Sequence, residues 1–236
     1  MSNLYFRQWL SGVAYGRGDQ VATQMVNFAY AIGDADTHEA VLVDPAYDVD
    51  ELLELLALDD MTCVGAIGTH FHADHIGGSL FGTAIEGVAA LLERVDVPVH
   101  VQRDEAPWVA RTTGVEAELV RHDPGGTVEV GGVQVELIHT PGHTPGSQCL
   151  LVERHLVTGD TLFLDGCGRT DLPGSDPLEM YETLTRRLSR IGDDTVVYPG
   201  HFYSPPEPSA TMGETRARNV VLAPRSAEQW LAAFGR

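Results

Sequence analysis

Apolar positions along the chain fall into short runs separated by Gly, Pro and Asp, the pattern of many strands interrupted by a few helices. Residues 4–10 and 21–32 are rich in β-formers and bounded by Gly or Asp, so both read as strands. A short buried-strand run at 40–43 ends in Asp44-Pro45. A helix follows, with Asp48 as N-cap, Glu51 three residues on, and Leu52, Leu53, Leu55, Leu56 and Leu58 as its apolar face. The run 63–68 predicts a strand, 84–94 a helix, 97–101 a strand and 104–112 another helix.

The second half repeats this mix. Runs 127–130 and 133–138 flank Gly131-Gly132, a two-residue hairpin signal, and runs 148–152 and 156–158 flank Glu153-Arg154-His155 in the same manner. Asp176-Pro177-Leu178-Glu179 supplies an N-cap, Pro at N1 and Glu at N3 for a helix through 180–191. Residues 195–198 form a last predicted strand and 204–208 a proline-rich loop. Thr211-Met212-Gly213-Glu214 is a capping box, and tail helices are predicted at 214–222 and 227–234. Together these elements predict an α/β fold of two packed sheets with helices outside. It forms one domain over residues 1–236, with a short helical tail from about residue 204. The tail helices would either cover one side of a pocket or pack in a homodimer.

Composition narrows the function. No apolar stretch is long enough to cross a bilayer, and the start, MSNLYFRQWL, has no signal-peptide build. Cys63, Cys149 and Cys167 are odd in number, widely spaced and form no CxxC pair, which argues against a disulfide framework and suits a cytoplasmic location. A formal charge of −19 argues against nucleic acid or an anionic membrane as partner. All fifteen basic residues are arginine, which excludes Schiff-base chemistry and leaves arginine, backbone N–H groups or a metal to hold an anionic substrate.

The chemistry concentrates in Thr69-His70-Phe71-His72-Ala73-Asp74-His75-Ile76-Gly77-Gly78, directly after the predicted strand 63–68. If that strand continues, His70 and His72 point to one face, and Asp74 and His75 follow in the turn. Imidazoles with a carboxylate are a ligand set for zinc, iron or a similar transition metal. Three later positions share the layout of a strand followed by a ligand type in a Gly/Pro-rich turn: His143, Asp160 and His201. Asp44, also at a strand end, would accept a hydrogen bond that orients the histidine loop. His38, His100, His122, His139 and His155 lack such neighbours and read as solvated or packing residues. Cys167 reads as a small buried residue, and Trp9, Trp108 and Trp230 as core or interface residues.

In this ordered set, Asp44, H-x-H-x-D-H, His143, Asp160 and His201, the sequence resembles the metallo-β-lactamase superfamily from about residue 40 to 201. The resemblance implies an αββα sandwich of two mixed sheets with the metal site at their shared edge. It implies that His70, His72 and His143 bind one divalent ion, Asp74, His75 and His201 a second, and that Asp160 bridges them. Zinc is the expected metal, with iron as the alternative.

Within the superfamily, the segment Gly159-Asp160-Thr161-Leu162-Phe163 with Gly166-Cys167-Gly168-Arg169 is similar to glyoxalase II-like thiolester hydrolases. That likeness implies substrate contacts from Arg169 and Tyr203, a metal-activated hydroxide attacking a thioester of a low-molecular-weight thiol, and Asp74 as ligand and orienter. Thr170-Asp171 replaces the aromatic residues those enzymes carry after Gly-Arg, and 35 residues follow His201, fewer than their glutathione-binding domain needs. The string Gly168-Arg169-Thr170-Asp171 looks more like persulfide dioxygenases, which implies a single iron on His70, His143 and Asp160. That set is a subset of the seven, so ligand identity does not choose between the two chemistries. A non-catalytic metal-binding protein is the third, least favoured reading.

Overall fold

A computed structural model describes residues 3–223 and 225–234 of the chain. The chain begins with β1 (Leu4–Leu10), α1 (Gln20–Met25), β2 (Phe28–Asp34), β3 (Glu39–Val43), α2 (Val49–Leu58), β4 (Thr62–Ile67) and α3 (Ala73–Ile76). It continues through β5 (Gly78–Leu80), β6 (Thr83–Ile85), α4 (Val88–Arg94), β7 (Val99–Gln102), α5 (Ala106–Thr113) and β8 (Leu119–His122). The second half holds β9 (Thr127–Val130), β10 (Val133–His139), β11 (Gln148–Val152), β12 (His155–Gly159) and α6 (Pro177–Glu182). Last come β13 (Val196–Pro199), β14 (Ala210–Thr211), α7 (Met212–Arg218) and α8 (Ala227–Phe234).

Twelve of these strands form two six-stranded mixed sheets, ordered β1-β2-β3-β4-β7-β8 and β14-β13-β12-β11-β10-β9, and β5 and β6 form a separate two-stranded sheet. The first is antiparallel from β1 to β3 and parallel from β3 onward. The second is antiparallel except where β12 runs parallel to β13.

Alternation along each strand builds the layers. On β2 and β3, Phe28, Tyr30, Ile32, Val41 and Val43 face the other sheet and meet Val133, Val135 and Leu137 of β10 and Leu150 of β11. The intervening Ala29, Ala31, Ala40 and Leu42 face outward and pack with Leu52 and Leu56 of α2 and Leu91 of α4. On the far side, Cys149, Leu156 and Val197 pack with Met180 of α6 and Trp230 of α8. The result is the expected αββα sandwich, with both faces of its central strands buried, so those strands read as near-continuous apolar runs. Each fully buried Leu, Ile or Val contributes about 1.5–3 kcal/mol of transfer free energy.

Several expectations change. Residues 21–25 are helical: the Asp19 carboxylate accepts from the N–H groups of Val21 and Ala22 and starts a turn, which the left-handed Val26 (φ 49°) ends. Residues 83–85 form β6 against β5, so the helix expected at 84–94 begins only at Val88. The helix through 180–191 leaves α geometry after Glu182, widening over Thr183–Arg187 and tightening over Leu188–Arg190. There the Thr183 hydroxyl donates to Pro141 O and the Thr185 hydroxyl donates back to Tyr181 O. β8, beside β7, was hidden by its polar edge-strand composition. His155 belongs to β12, leaving Glu153-Arg154 as the hairpin turn. β4 ends at Ile67, so His70 and His72 lie beyond the strand and do not owe their shared direction to strand alternation. In the tail, α7 covers Met212–Arg218 and a tight turn covers Val220–Leu222. Trp230 of α8 is fully buried and donates from Nε1 to Val221 O. The last helix therefore seals the outer face of the second sheet.

Candidate metal centre

Turns at one shared end of the two sheets carry the candidate ligands. Asp44 follows β3, His70 to His75 follow β4, His143 follows β10, Asp160 follows β12 and His201 follows β13. The start of α3 sets Asp74 and His75 inward, and both are buried. Two close approaches require glycine: a Cβ on Gly168 would lie 2.2 Å from Asp160 O, and one on Gly200 would lie 2.4 Å from Asp160 Oδ1.

Seven side chains converge. Ligand atoms of His70, His72 and His143 lie within 4.8 Å of one another, as do those of Asp74, His75 and His201. His72 Nδ1 is 3.0 Å from His143 Nε2, and His75 Nε2 is 3.2 Å from His201 Nε2. The Asp160 carboxylate stands between the groups, Oδ1 3.4 Å from His75 Nε2 and Oδ2 3.4 Å from His201 Nε2 and 3.7 Å from His143 Nε2.

Partners on the far side of four of the rings fix their orientation. Nδ1 of His143 donates to Arg169 O at 2.8 Å, Nδ1 of His201 to Met25 O at 2.8 Å, and Nδ1 of His75 to Asp44 Oδ2 at 2.9 Å. His70 Nδ1 donates to the Thr69 hydroxyl, which itself donates to Asp44 Oδ2. This is the arrangement that turns the free nitrogen of an imidazole toward a metal. His70 Nε2 and Asp160 Oδ1 are buried with no hydrogen-bond partner, which a metal ion would satisfy. The residues fit one or two ions.

Electrostatics divides the cluster. Burial, reinforced by neighbouring imidazoles, pushes His70 well below its ordinary value and His72 down to about 4, and burial lowers His143 too. Burial also works against a charge on His75, but the carboxylates of Asp160, Asp74 and Asp44 outweigh it and hold this ring up to about 10. The Asp160 carboxyl, opposed by burial, is held well below the carboxylate range by His201 and His75.

With this geometry in view, the metallo-β-lactamase superfamily profile matches residues 22–201. The chain belongs to this superfamily. A persulfide dioxygenase, ETHE1 of Homo sapiens, is 31% identical over 183 residues, covering 75% of this chain and 64% of that protein. A hydroxyacylglutathione hydrolase of Nitrosococcus oceani is 33% identical over 181 residues, covering 75% and 62%. The chain thus spans a little under two thirds of each of these two relatives. The crystal structure of ETHE1 from Myxococcus xanthus superposes with a TM-score of 0.78 at 32% identity, covering 97% of this chain and 88% of that one. The superfamily member described here is a metal-dependent enzyme with relatives of both hydrolytic and oxidative kinds.

Among the expected substrate residues, Tyr203 stacks on His201 at 4.6 Å, and both Tyr203 and Arg169 line the cavity beside the ligands. Arg169 is paired with Asp171. Asp44 lies where it was expected, behind the ligands. Cys167 is half-buried on the cavity wall, its thiol pushed up to about 12 by burial. His100 and His122 pair with each other, and His155 stacks on Tyr198, away from the ligands. Trp9 and Trp230 are core residues, whereas Trp108 is half-buried and stacks on Phe71.

Two residues escaped the sequence reading. Asn27 Nδ2 lies 3.2 Å from Asp74 Oδ2, 3.2 Å from His75 Nε2 and 3.5 Å from His201 Nε2, with its amide oriented by the Tyr47 hydroxyl donating to Oδ1. Its one sequence signal is that it is a lone polar residue heading the apolar run of β2. Glu105 accepts from Phe71 N, Thr144 Oγ1 and Gly146 N, tying the His72 loop to the His143 loop. Burial raises its carboxyl to about 7. In the sequence it is indistinguishable from a helix-start acid.

Proposed function

We propose that the chain is a two-metal thiolester hydrolase acting on an acyl derivative of a low-molecular-weight thiol. The observation that carries this reading is the second ligand set. His75 Nε2 and His201 Nε2 lie 3.7 and 3.5 Å from Asp74 Oδ2, with both rings fixed from behind. A single ion on His70, His143 and Asp160 would leave that set without an ion of its own.

Two divalent ions, zinc by the nitrogen-and-carboxylate donor set, would supply Lewis acidity that brings the pKa of a water to near neutrality and stabilises charge on a carbonyl oxygen. Asp160 reaches both ligand sets and holds them in one frame. Asp74, held by Asn27 and reaching the cavity wall, would orient the attacking water. The leaving thiolate needs little acid assistance, because a free thiol has a pKa near 8.5. The cavity wall matches that undemanding step, since burial raises both the Tyr203 hydroxyl and the Cys167 thiol and makes each a poor proton donor.

The second reading is a single-iron persulfide dioxygenase on His70, His143 and Asp160. It is favoured by the likeness to ETHE1 over nearly the whole chain. The test is thiol release from an acyl-thiol by the zinc-loaded protein without oxygen, set against oxygen uptake by the iron-loaded protein with a persulfide. Anaerobic thiol release with no uptake supports the hydrolase; uptake without thiol release reverses the order.

A further inference from the structure

The thiol half of the substrate is a separate question from the reaction, and the cavity beside the ligands bears on it. Its volume is about 830 Å³, within the range of small-molecule sites. Its walls include Met25, Phe71, Leu80, Phe81, Phe163 and Leu172.

Charge on these walls is already matched. Apart from the candidate ligands, Asp165 and Arg169 are the charged residues lining the cavity among the described residues. The Arg169 guanidinium donates to both Asp171 oxygens, Nε at 2.9 Å and Nη2 at 2.8 Å, in a two-pronged pair. Asp165 Oδ1 lies 3.4 Å from Arg218 Nε. Glutathione presents two carboxylates, and either would compete with Asp171 for the one guanidinium on the wall.

The rim adds an apolar element. Phe81 and Gly82 form the two-residue turn of the β5–β6 hairpin, both with positive φ (51° and 82°), the geometry that closes such hairpins tightly. The hairpin starts directly after α3, which carries Asp74 and His75. Phe81 is 93% exposed. An aromatic ring held out at a cavity mouth gains free energy when an apolar ligand covers it.

We propose that this cavity accepts an uncharged, apolar thiol moiety, so that the substrate is a thioester or persulfide of a neutral thiol and not of glutathione. The inference rests on the hydrolase or persulfide reading for the chemistry, but its test does not need turnover. The zinc-loaded protein is titrated by calorimetry with two unreactive thioethers, S-benzyl-N-acetylcysteamine and S-benzylglutathione. The neutral probe binds about tenfold more tightly. Phe81→Ser weakens the neutral probe about fivefold, by removing apolar cover, and leaves the glutathione probe unchanged. Asp171→Asn frees Arg169 and tightens only the glutathione probe, about threefold. Equal or tighter binding of the glutathione probe overturns the proposal, as does failure of both probes to bind or indifference to Phe81→Ser. Selective binding of the neutral probe without turnover of any acyl-thiol or persulfide would leave the cavity assignment standing and remove the reaction.

Discussion

The two ligand sets sit side by side yet are built on opposite electrostatic terms. His70, His72 and His143 form an all-imidazole set that burial keeps neutral, with lone pairs facing inward. Asp74, His75 and His201 include a carboxylate, and His75 is held up to about 10 by three acids. The first set is ready for an ion as it stands. The acids around the second favour a proton on His75 when no ion is there, and an ion must compete with it. Cation binding at the two positions should therefore differ in affinity and in proton release.

The largest effect that separates the sets comes from His70→Ala, because both chemistries need that ring. Turnover should fall by a factor on the order of 10³ or more, with loss of metal measured by plasma mass spectrometry. His201→Ala is the sharper variant. If both positions work in catalysis, turnover falls on the order of 10²-fold while the first ion stays bound; unchanged turnover breaks the two-ion account. A smaller change is expected from Asp44→Asn, which removes the charged acceptor behind His75. Affinity at the second position should drop about 10- to 100-fold in a competitive chelator titration, and by less at the first, which Asp44 reaches only through the Thr69 hydroxyl.

The smallest effect is a pH signature of the metal-free protein. His75, raised in the fold, contributes stability that is present below about pH 6.5 and is lost as pH rises toward 10. His72, lowered in the fold, contributes stability present above about pH 6.5 and lost as pH falls toward 4. Imidazole nitrogen NMR should accordingly find His75 doubly protonated at about pH 8 and His72 neutral at about pH 5.5. The reverse order would break the comparison.

The parts of the centre legible in the sequence were those contiguous in the chain or announced by turn chemistry. His70 to His75 stand within six residues, and His143, Asp160 and His201 each follow an apolar run into a glycine-rich turn. What was not legible comes from afar. Asn27 reaches the second set from the head of β2, and Glu105 braces two ligand loops from the start of α5. Neither has a local pattern that distinguishes it from an ordinary turn or capping residue. The same holds for the fold. Hairpins and capped helices were readable from Gly131-Gly132, Asp48, Asp176 and Thr211. The helix at 20–25 was misread because its β-forming residues take their conformation from the Asp19 cap and the turn at Val26.

The two-ion claim is tested most directly by counting metal per chain in the purified, catalytically active protein. The account predicts two ions, with His201→Ala retaining one. A single iron in the parent protein, unchanged in His201→Ala, would contradict it.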